Sequence, residues 1–390
     1  MEVRVWAAAA LAVCSVMARA DVTALVALEP TERKDGLMIS RPGLEAALKA
    51  LLAQPVSVAQ TEDLTDTLRA TRSGGYDVFV APPQVVASAM AHGYELLGAT
   101  DPEEEYVLVG RPTLARAADV RARHIYLPQQ DSIYTYMARG MLTAHGLSFK
   151  DLGRVQYARF PQAGLMAVAL GVSDATVVRK REWDAWIVDN PGKARVLAQS
   201  GLVPGGFSVA VKKDLPAEQR AKLARWFGTA ATTCGLKNVS AQADPSHYQR
   251  VAQLGTFTPR ELPGARVVTA AEVQRLLSEG AVVVDTRNDK EFKAKRLPGA
   301  VFVPYHEKSL KDVAYDATQD DFAGLKGLDP TRATVFHCNG AACWKSYKAA
   351  RAALAAGFSK VYWFRGGLPE WEQAGMALDK TPPAVAAKAG

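Results

Sequence analysis

The densest chemistry in the chain lies in Val335-Phe336-His337-Cys338-Asn339-Gly340-Ala341-Ala342-Cys343-Trp344-Lys345-Ser346. Thr334 to His337 reads as a buried strand that delivers its chain to Cys338, and Lys345 to Ala355 has helical spacing with Gly357 at its end. A cysteine between a strand end and a helix start sits where unpaired N–H groups and the positive end of the helix dipole converge. That setting lowers a thiol pKa and favours thiolate. A thiolate so placed can take up a group covalently and hand it on, two-step chemistry with ping-pong kinetics. Cys338 is the candidate nucleophile; the plain alternative is an inert strand-end cysteine. Cys343 is open to three readings: a resolving thiol, a second carrier, or a small hydrophobe packed under the loop. Lys345 adds a point charge at the helix start. The Cys338-x4-Cys343 spacing, with no His or Cys cluster nearby, does not fit a zinc site, and no metal or cofactor is expected.

The elements that must position this loop form an α/β unit. Thr269-Ala270-Ala271-Glu272 is a capping-box signature, and Val273, Leu276 and Leu277 supply the apolar stripe of the helix it opens. Ala281 to Val284 is a continuous apolar strand ending at Asp285, and Val361-Tyr362-Trp363 is another. With these elements the segment resembles the rhodanese family. Val283-Val284-Asp285-Thr286-Arg287 is similar to the Asp-x-Arg strand end of that fold, and Glu291-Phe292 follows it. Leu297-Pro298-Gly299-Ala300 matches its next turn, although Lys295-Arg296 replaces the more usual Gly-His. Tyr362-Trp363-Phe364-Arg365-Gly366-Gly367 followed by Trp371 matches its closing signature. The resemblance implies a parallel-sheet domain over 267–380 whose Cys338 accepts sulfur from a sulfane-sulfur donor, holds it as a persulfide and yields it to a thiol acceptor. Asp285 and Arg287 would organise the loop, and Trp371 would belong to the core. The loop departs from the commonest pattern: it is about two residues longer and carries Cys343-Trp344 where a loop Arg is expected. Phosphatases of the same fold close their loop with a phosphate-binding Arg, so Trp344 and Lys345 here disfavour phosphatase chemistry.

Upstream, apolar runs alternate with amphipathic stretches, which argues for parallel α/β architecture. Strands are expected at Val22 to Leu28, Val56 to Ala59, Tyr76 to Val80, Val107 to Val109, Ile125 to Leu127, Ala175 to Val178 and Ser208 to Val211. Helices are expected over Pro42 to Leu52, up to His145 with Gly146 as cap, and over Pro216 to Phe227. Arg72 to Pro82, Pro128 to Tyr134, and the run Val168-x3-Val172-Ser173-Asp174-Ala175 resemble periplasmic substrate-binding proteins of the phosphonate/phosphite type, which implies a bilobal domain over 21–253 that holds a small oxyanion and works with a membrane transporter. Glu29, Tyr76, Asp131, Ser132, Tyr134, Thr135 and Asp174 are the expected ligand residues at strand ends facing the cleft. The helix opening at Asp131-Ser132 offers free N–H groups to an oxyanion. N-capping is the plain alternative for Asp131 and Ser132, and core packing for the tyrosines.

The whole chain sets the frame. It has 390 residues, 48% hydrophobic and 22% charged, enough for more than one domain. The net charge of +7 is spread out, with no Lys/Arg block to track a phosphate backbone, so no nucleic-acid partner is expected. Arg4, the apolar run Val5 to Val13 and Ala18-Arg19-Ala20 form an export signal over 1–20 cleaved before Asp21, giving a periplasmic protein. Cys234, Cys338 and Cys343 then remain, too few for a disulfide framework. Residues 254–266 read as a flexible linker and 381–390 as a disordered tail. The leading expectation is an exported sulfurtransferase joined to a small-anion-binding module. Its rivals are a non-catalytic solute sensor with a degenerate rhodanese module, and a Cys338/Cys343 thiol-disulfide protein.

Overall fold

The computed structural model describes residues 21–29, 39–158 and 160–380; the expected export signal and tail lie outside them. In chain order the first lobe opens with β1 (Val22–Ala27), α1 (Arg41–Leu52), β2 (Val56–Thr61), α2 (Leu64–Ser73), β3 (Val78–Ala81), α3 (Pro83–Met90) and β4 (Tyr94–Glu104). The chain then crosses to a second lobe: β5 (Tyr106–Gly110), β6 (His124–Leu127), α4 (Ile133–Ala144), β7 (Arg154–Tyr157), α5 (Gln162–Ala169), β8 (Ala175–Arg179), α6 (Lys180–Asp189) and β9 (Arg195–Gln199). It returns through β10 (Val203–Lys212), α7 (Ala217–Thr229) and α8 (Pro245–Gln253).

The lobes carry sheets of order β2-β1-β3-β10-β4 and β7-β6-β8-β5-β9. Neither is wholly parallel, which corrects the sequence reading. β10 runs antiparallel to β3 and β4, and β5 antiparallel to β8 and β9. The strands that carry the chain between lobes enter each sheet from the opposite end, a reversal that apolar patterning does not record. Buried β-branched strands such as β1 and β3 form the lobe cores, and Cys234 is buried with the first of them.

The remaining elements are β11 (Arg266–Val267), α9 (Ala270–Ser278), β12 (Val282–Asp285), α10 (Asp289–Ala294), β13 (Val301–Phe302), β14 (Thr334–His337), α11 (Lys345–Ala355), β15 (Val361–Phe364) and α12 (Gly367–Gln373). They build an all-parallel sheet of order β11-β15-β14-β12-β13. The Thr269/Glu272 capping box opens α9, a cap of about 1 kcal/mol. Trp371 packs in the core with Phe364 and Leu368.

The segment joining the domains is fastened at both ends rather than flexible. Arg139 of α4 donates to the Leu254 carbonyl and to Thr256 Oγ1 (2.9 Å). On the other side the N–H and Oγ1 of Thr258 donate to the Ala341 carbonyl at 2.9 and 2.8 Å. Arg365 donates to the carbonyls of Pro259 and Thr258, and Trp344 Nε1 to that of Thr256. The linker is thereby stitched directly to the Cys338 loop.

Candidate functional site

β14 ends at His337 and α11 begins at Lys345, so the loop between them is short and turned inward. Gly367 makes room for it: its φ is +55°, and a Cβ there would stand 2.1 Å from the Cys338 carbonyl oxygen. The Leu368 N–H donates to that carbonyl at 3.0 Å. Asn339 Nδ2 donates to Glu291 Oε1 at 2.7 Å, which anchors the loop to α10. Below it, Arg287 grips Asp285 through Nε (2.9 Å) and Nη2 (2.6 Å), both residues fully buried. Burial opposes ionisation of Asp285, but His337 and Arg287 hold its carboxyl below the usual range. Asp285 and Arg287 thus brace the strand end and hydrogen-bond to neither thiol, while the Arg287 charge is felt at Cys338. His337, also fully buried, is driven down to about 4 by desolvation and is neutral at pH 7.

Cys338 and Cys343 lie side by side, 1% and 5% exposed. Cys338 Sγ is 3.0 Å from Ser346 Oγ and 3.2 Å from the Cys343 carbonyl, and the Ser346 N–H from the first turn of α11 also points to it. The expectation of a depressed Cys338 pKa is reversed. Burial and its hydrogen bond to Cys343 push the Cys338 thiol up. For Cys343, burial alone would also raise the pKa. The hydrogen bond from Cys338, the Arg72 charge, the Asn339 N–H and Lys345 outweigh it and bring Cys343 down to about 7. Of the two thiols Cys343 is thus the more readily ionised, while Cys338 keeps its proton, with its Sγ within hydrogen-bond distance of the Cys343 carbonyl and Ser346 Oγ. Half-buried Lys345 stands beside Cys343 and contributes to that shift.

The expected ligand residues of the first domain do not form one group. The oxyanion place at the start of α4 is occupied by the chain itself. The Glu29 carboxylate, fully buried, accepts from Ser132 Oγ (2.8 Å), the Ile133 N–H (2.9 Å) and Gln84 Nε2 (2.8 Å). Desolvation still raises its pKa against those donors. Ser132 caps α4. Tyr134 is core, edge-on to Tyr106 with its hydroxyl on Glu182 at 3.0 Å, and Thr135 Oγ1 bonds back to the Gln129 carbonyl at 2.9 Å. Tyr76 and Asp174 stand apart, because each precedes its strand and so lies at the end opposite Glu29 and Ser132. Tyr76 faces Lys290 of the second domain, and Asp174 binds the His124 N–H and Arg111.

Asp131 leads to what sequence reasoning missed. Its carboxylate accepts from Thr65 Oγ1 (2.6 Å) and pairs with Lys311 of the second domain, the two side chains 3% and 8% exposed. The Lys311 N–H also donates to Gln130 Oε1 at 3.0 Å. The loop bearing Lys311 is held by Lys348 of α11, fully buried against Ser309 and Glu307. Through these contacts α2 lies over the thiol loop, and a cavity of about 70 Å³ remains between Arg69 and Arg72 on one side and Cys343, Trp344 and Lys345 on the other. Nothing in the local pattern around Lys311 announces this. Arg72 stands in a quoted motif, but only the folded arrangement brings it to a cysteine 271 positions away.

A two-lobed domain of mixed sheets followed by a small parallel domain with a cysteine at its strand end is the architecture of a periplasmic binding protein joined to a rhodanese-like module. Residues 26–255, more than half of the chain, match the phosphonate periplasmic substrate-binding proteins of ABC transporters, and the chain belongs to that family. Residues 269–374 match the rhodanese-like domain. Among curated proteins, the HTH-type transcriptional regulator Rv0324 of Mycobacterium tuberculosis is 33% identical over 117 residues, 30% of this chain; the chain spans 46% of that relative's length. Among solved structures, PhnD1 of Prochlorococcus marinus in complex with methylphosphonate is 13% identical with a TM-score of 0.46, over 60% of this chain and 97% of its own. The binding component of an ABC phosphonate transporter from Pseudomonas aeruginosa is 14% identical with a TM-score of 0.41, over 56% and 81%. No helix among the described residues is long and apolar enough to cross a membrane.

Proposed function

We propose that the protein is an exported sulfurtransferase in which Cys338 carries sulfane sulfur as a persulfide and Cys343 is its base. What supports this reading is the placement of two buried cysteines in one loop, Cys338 Sγ 3.2 Å from the Cys343 carbonyl and 3.0 Å from Ser346 Oγ, with the Cys338 thiol pushed up and Cys343 brought down. A nucleophile needs an adjacent base within hydrogen-bond reach, and Cys343, at about 7, is matched to neutral pH. As Cys338 attacks the outer sulfur of the donor its proton passes to Cys343. The new S–S bond forms on Cys338, and the donor's S–S bond breaks with its electron pair leaving on the remainder. An acceptor thiol then removes the outer sulfur.

The thiosulfate-to-cyanide assay on the full chain tests this. Cys338→Ala is expected to abolish transfer. Cys343→Ala is expected to fall by about 10²–10⁴-fold at pH 7, the span of a lost general base, and to recover as pH rises. Wild-type inactivity, with no persulfide found by intact mass from any sulfane donor, sinks the reading. Two cysteines in one loop, the sulfur of Cys338 on the Cys343 carbonyl, also suit a dithiol–disulfide cycle. Alkylation separates the two: a persulfide adds the mass of sulfur, whereas a disulfide blocks two alkylations.

A further inference from the structure

We propose that Arg72, from the binding-protein domain, supplies the anion-recognising charge missing from the sulfurtransferase loop, so that the cavity between the domains is a donor site for a small sulfur oxyanion. The proposal rests on the sulfur-transfer reading of the thiol pair and names the residue that selects its donor.

The charges around the cavity are accounted for almost completely within the protein. Arg69 is paired with Asp66 at 2.9 Å and stands 4.0 Å from Glu291. Lys311 is taken by Asp131, and Glu307 by Lys348 at 2.7 Å. Arg72 and Lys345 line the same cavity, and neither is in an ion pair among the described residues. Arg72 Nε is buried with no hydrogen-bond partner. That Nε faces protein rather than the cavity, but the guanidinium lines the cavity without a carboxylate partner among the described residues, and an oxyanion seated there would neutralise it. The planar fork of Arg suits the face of a tetrahedral oxyanion, which a lysine alone meets only as a point charge.

Position completes the case. Cys343 is part of the cavity wall, so an anion held by Arg72 and Lys345 lies against the second of the two thiols. The volume, about 70 Å³, is on the order of two waters at ~30 Å³ each, room for a small oxyanion and not for a nucleotide. With thiosulfate there, its oxygens meet Arg72 and Lys345 and its outer sulfur faces Cys343, behind which Cys338 is buried, so transfer requires the loop to bring Cys338 to the cavity. The Cys338 proton moves to Cys343, the Cys338–sulfur bond forms, the S–S bond of thiosulfate breaks, and sulfite leaves with the electron pair. Total charge is the same on both sides of that step.

The test uses the full chain with Arg72→Ala, Arg72→Gln and Arg72→Lys. KM for thiosulfate is expected to rise tenfold or more in the Ala and Gln variants, more than kcat falls, with Lys recovering part of the loss. Calorimetry of thiosulfate on the turnover-dead Cys338→Ser chain is expected to show binding weakened as much by Arg72→Gln. Unchanged KM and unchanged binding in the Arg72 variants, with the wild type turning over, overturn the proposal and leave sulfur transfer standing. Absence of binding to Cys338→Ser also overturns it. Arg72-dependent binding in a wild type that never transfers sulfur supports the site and sinks the catalytic reading instead.

Discussion

Lys311 offers the sharpest test of how the two domains are held. Its ammonium sits on Asp131 with both side chains buried, and among the described residues Thr65 is the only other hydrogen-bond donor to that carboxylate. Lys311→Ala leaves a buried carboxylate without its cation, a loss of about 3–5 kcal/mol when a buried pair is broken from one side. Asp131 lies in the first domain and Lys311 in the second, so the penalty falls on the docked arrangement and is relieved when the domains part. At 1.36 kcal/mol per tenfold, the open population should rise by roughly 150- to 5,000-fold, saturating once the open form dominates. Cys338 and Cys343, 1% and 5% exposed, report it, since Cys343 lines the cavity that α2 covers. Their alkylation by iodoacetamide, followed by peptide mass, should accelerate over that range. The double variant Lys311→Ala/Asp131→Asn removes the stranded charge and should return much of the protection. An alkylation rate unchanged by Lys311→Ala would refute the argument that this pair closes the site.

Two further outcomes are expected. Glu29→Ala leaves the Ser132, Ile133 and Gln84 donors without their acceptor and should destabilise the first domain by a few kcal/mol, at about 1–3 kcal/mol per stranded donor. Methylphosphonate or phosphate should then stabilise that variant and not the wild type, by about 2.7 kcal/mol at a hundred times Kd, seen as a rise in Tm; equal shifts in both would contradict an oxyanion place filled by Glu29. His337 titrates at about 4 when folded against 6.5 in its unperturbed state. Between those values the unfolded chain binds the proton and the folded chain does not, so stability falls as pH drops from about 6.5 to about 4, by about 3 kcal/mol in all. Urea unfolding of His337→Phe should show a shallower acid loss, and parallel curves would count against the assignment.

The sequence by itself determined the local frame of the site. β14 and α11 could be read to the residue, because a short apolar run and a helical stripe are properties of consecutive side chains. The Thr269/Glu272 cap and the Asp285–Arg287 pair were legible for the same reason, their partners being three and two positions apart. What the tertiary structure decided are the contacts whose partners are far apart in the chain. Glu29 meets the start of α4 over a separation of 104 residues, which turns an apparent anion site into an internal one. Asp131 meets Lys311 over 180 residues, and that pairing lays Arg72 beside Cys343. Even the order of thiol acidities followed from the fold. A helix start would have favoured Cys338, but complete burial and the position of a second sulfur reversed it. Charge and burial act through space, and periodicity along a chain carries no record of which distant group will stand opposite.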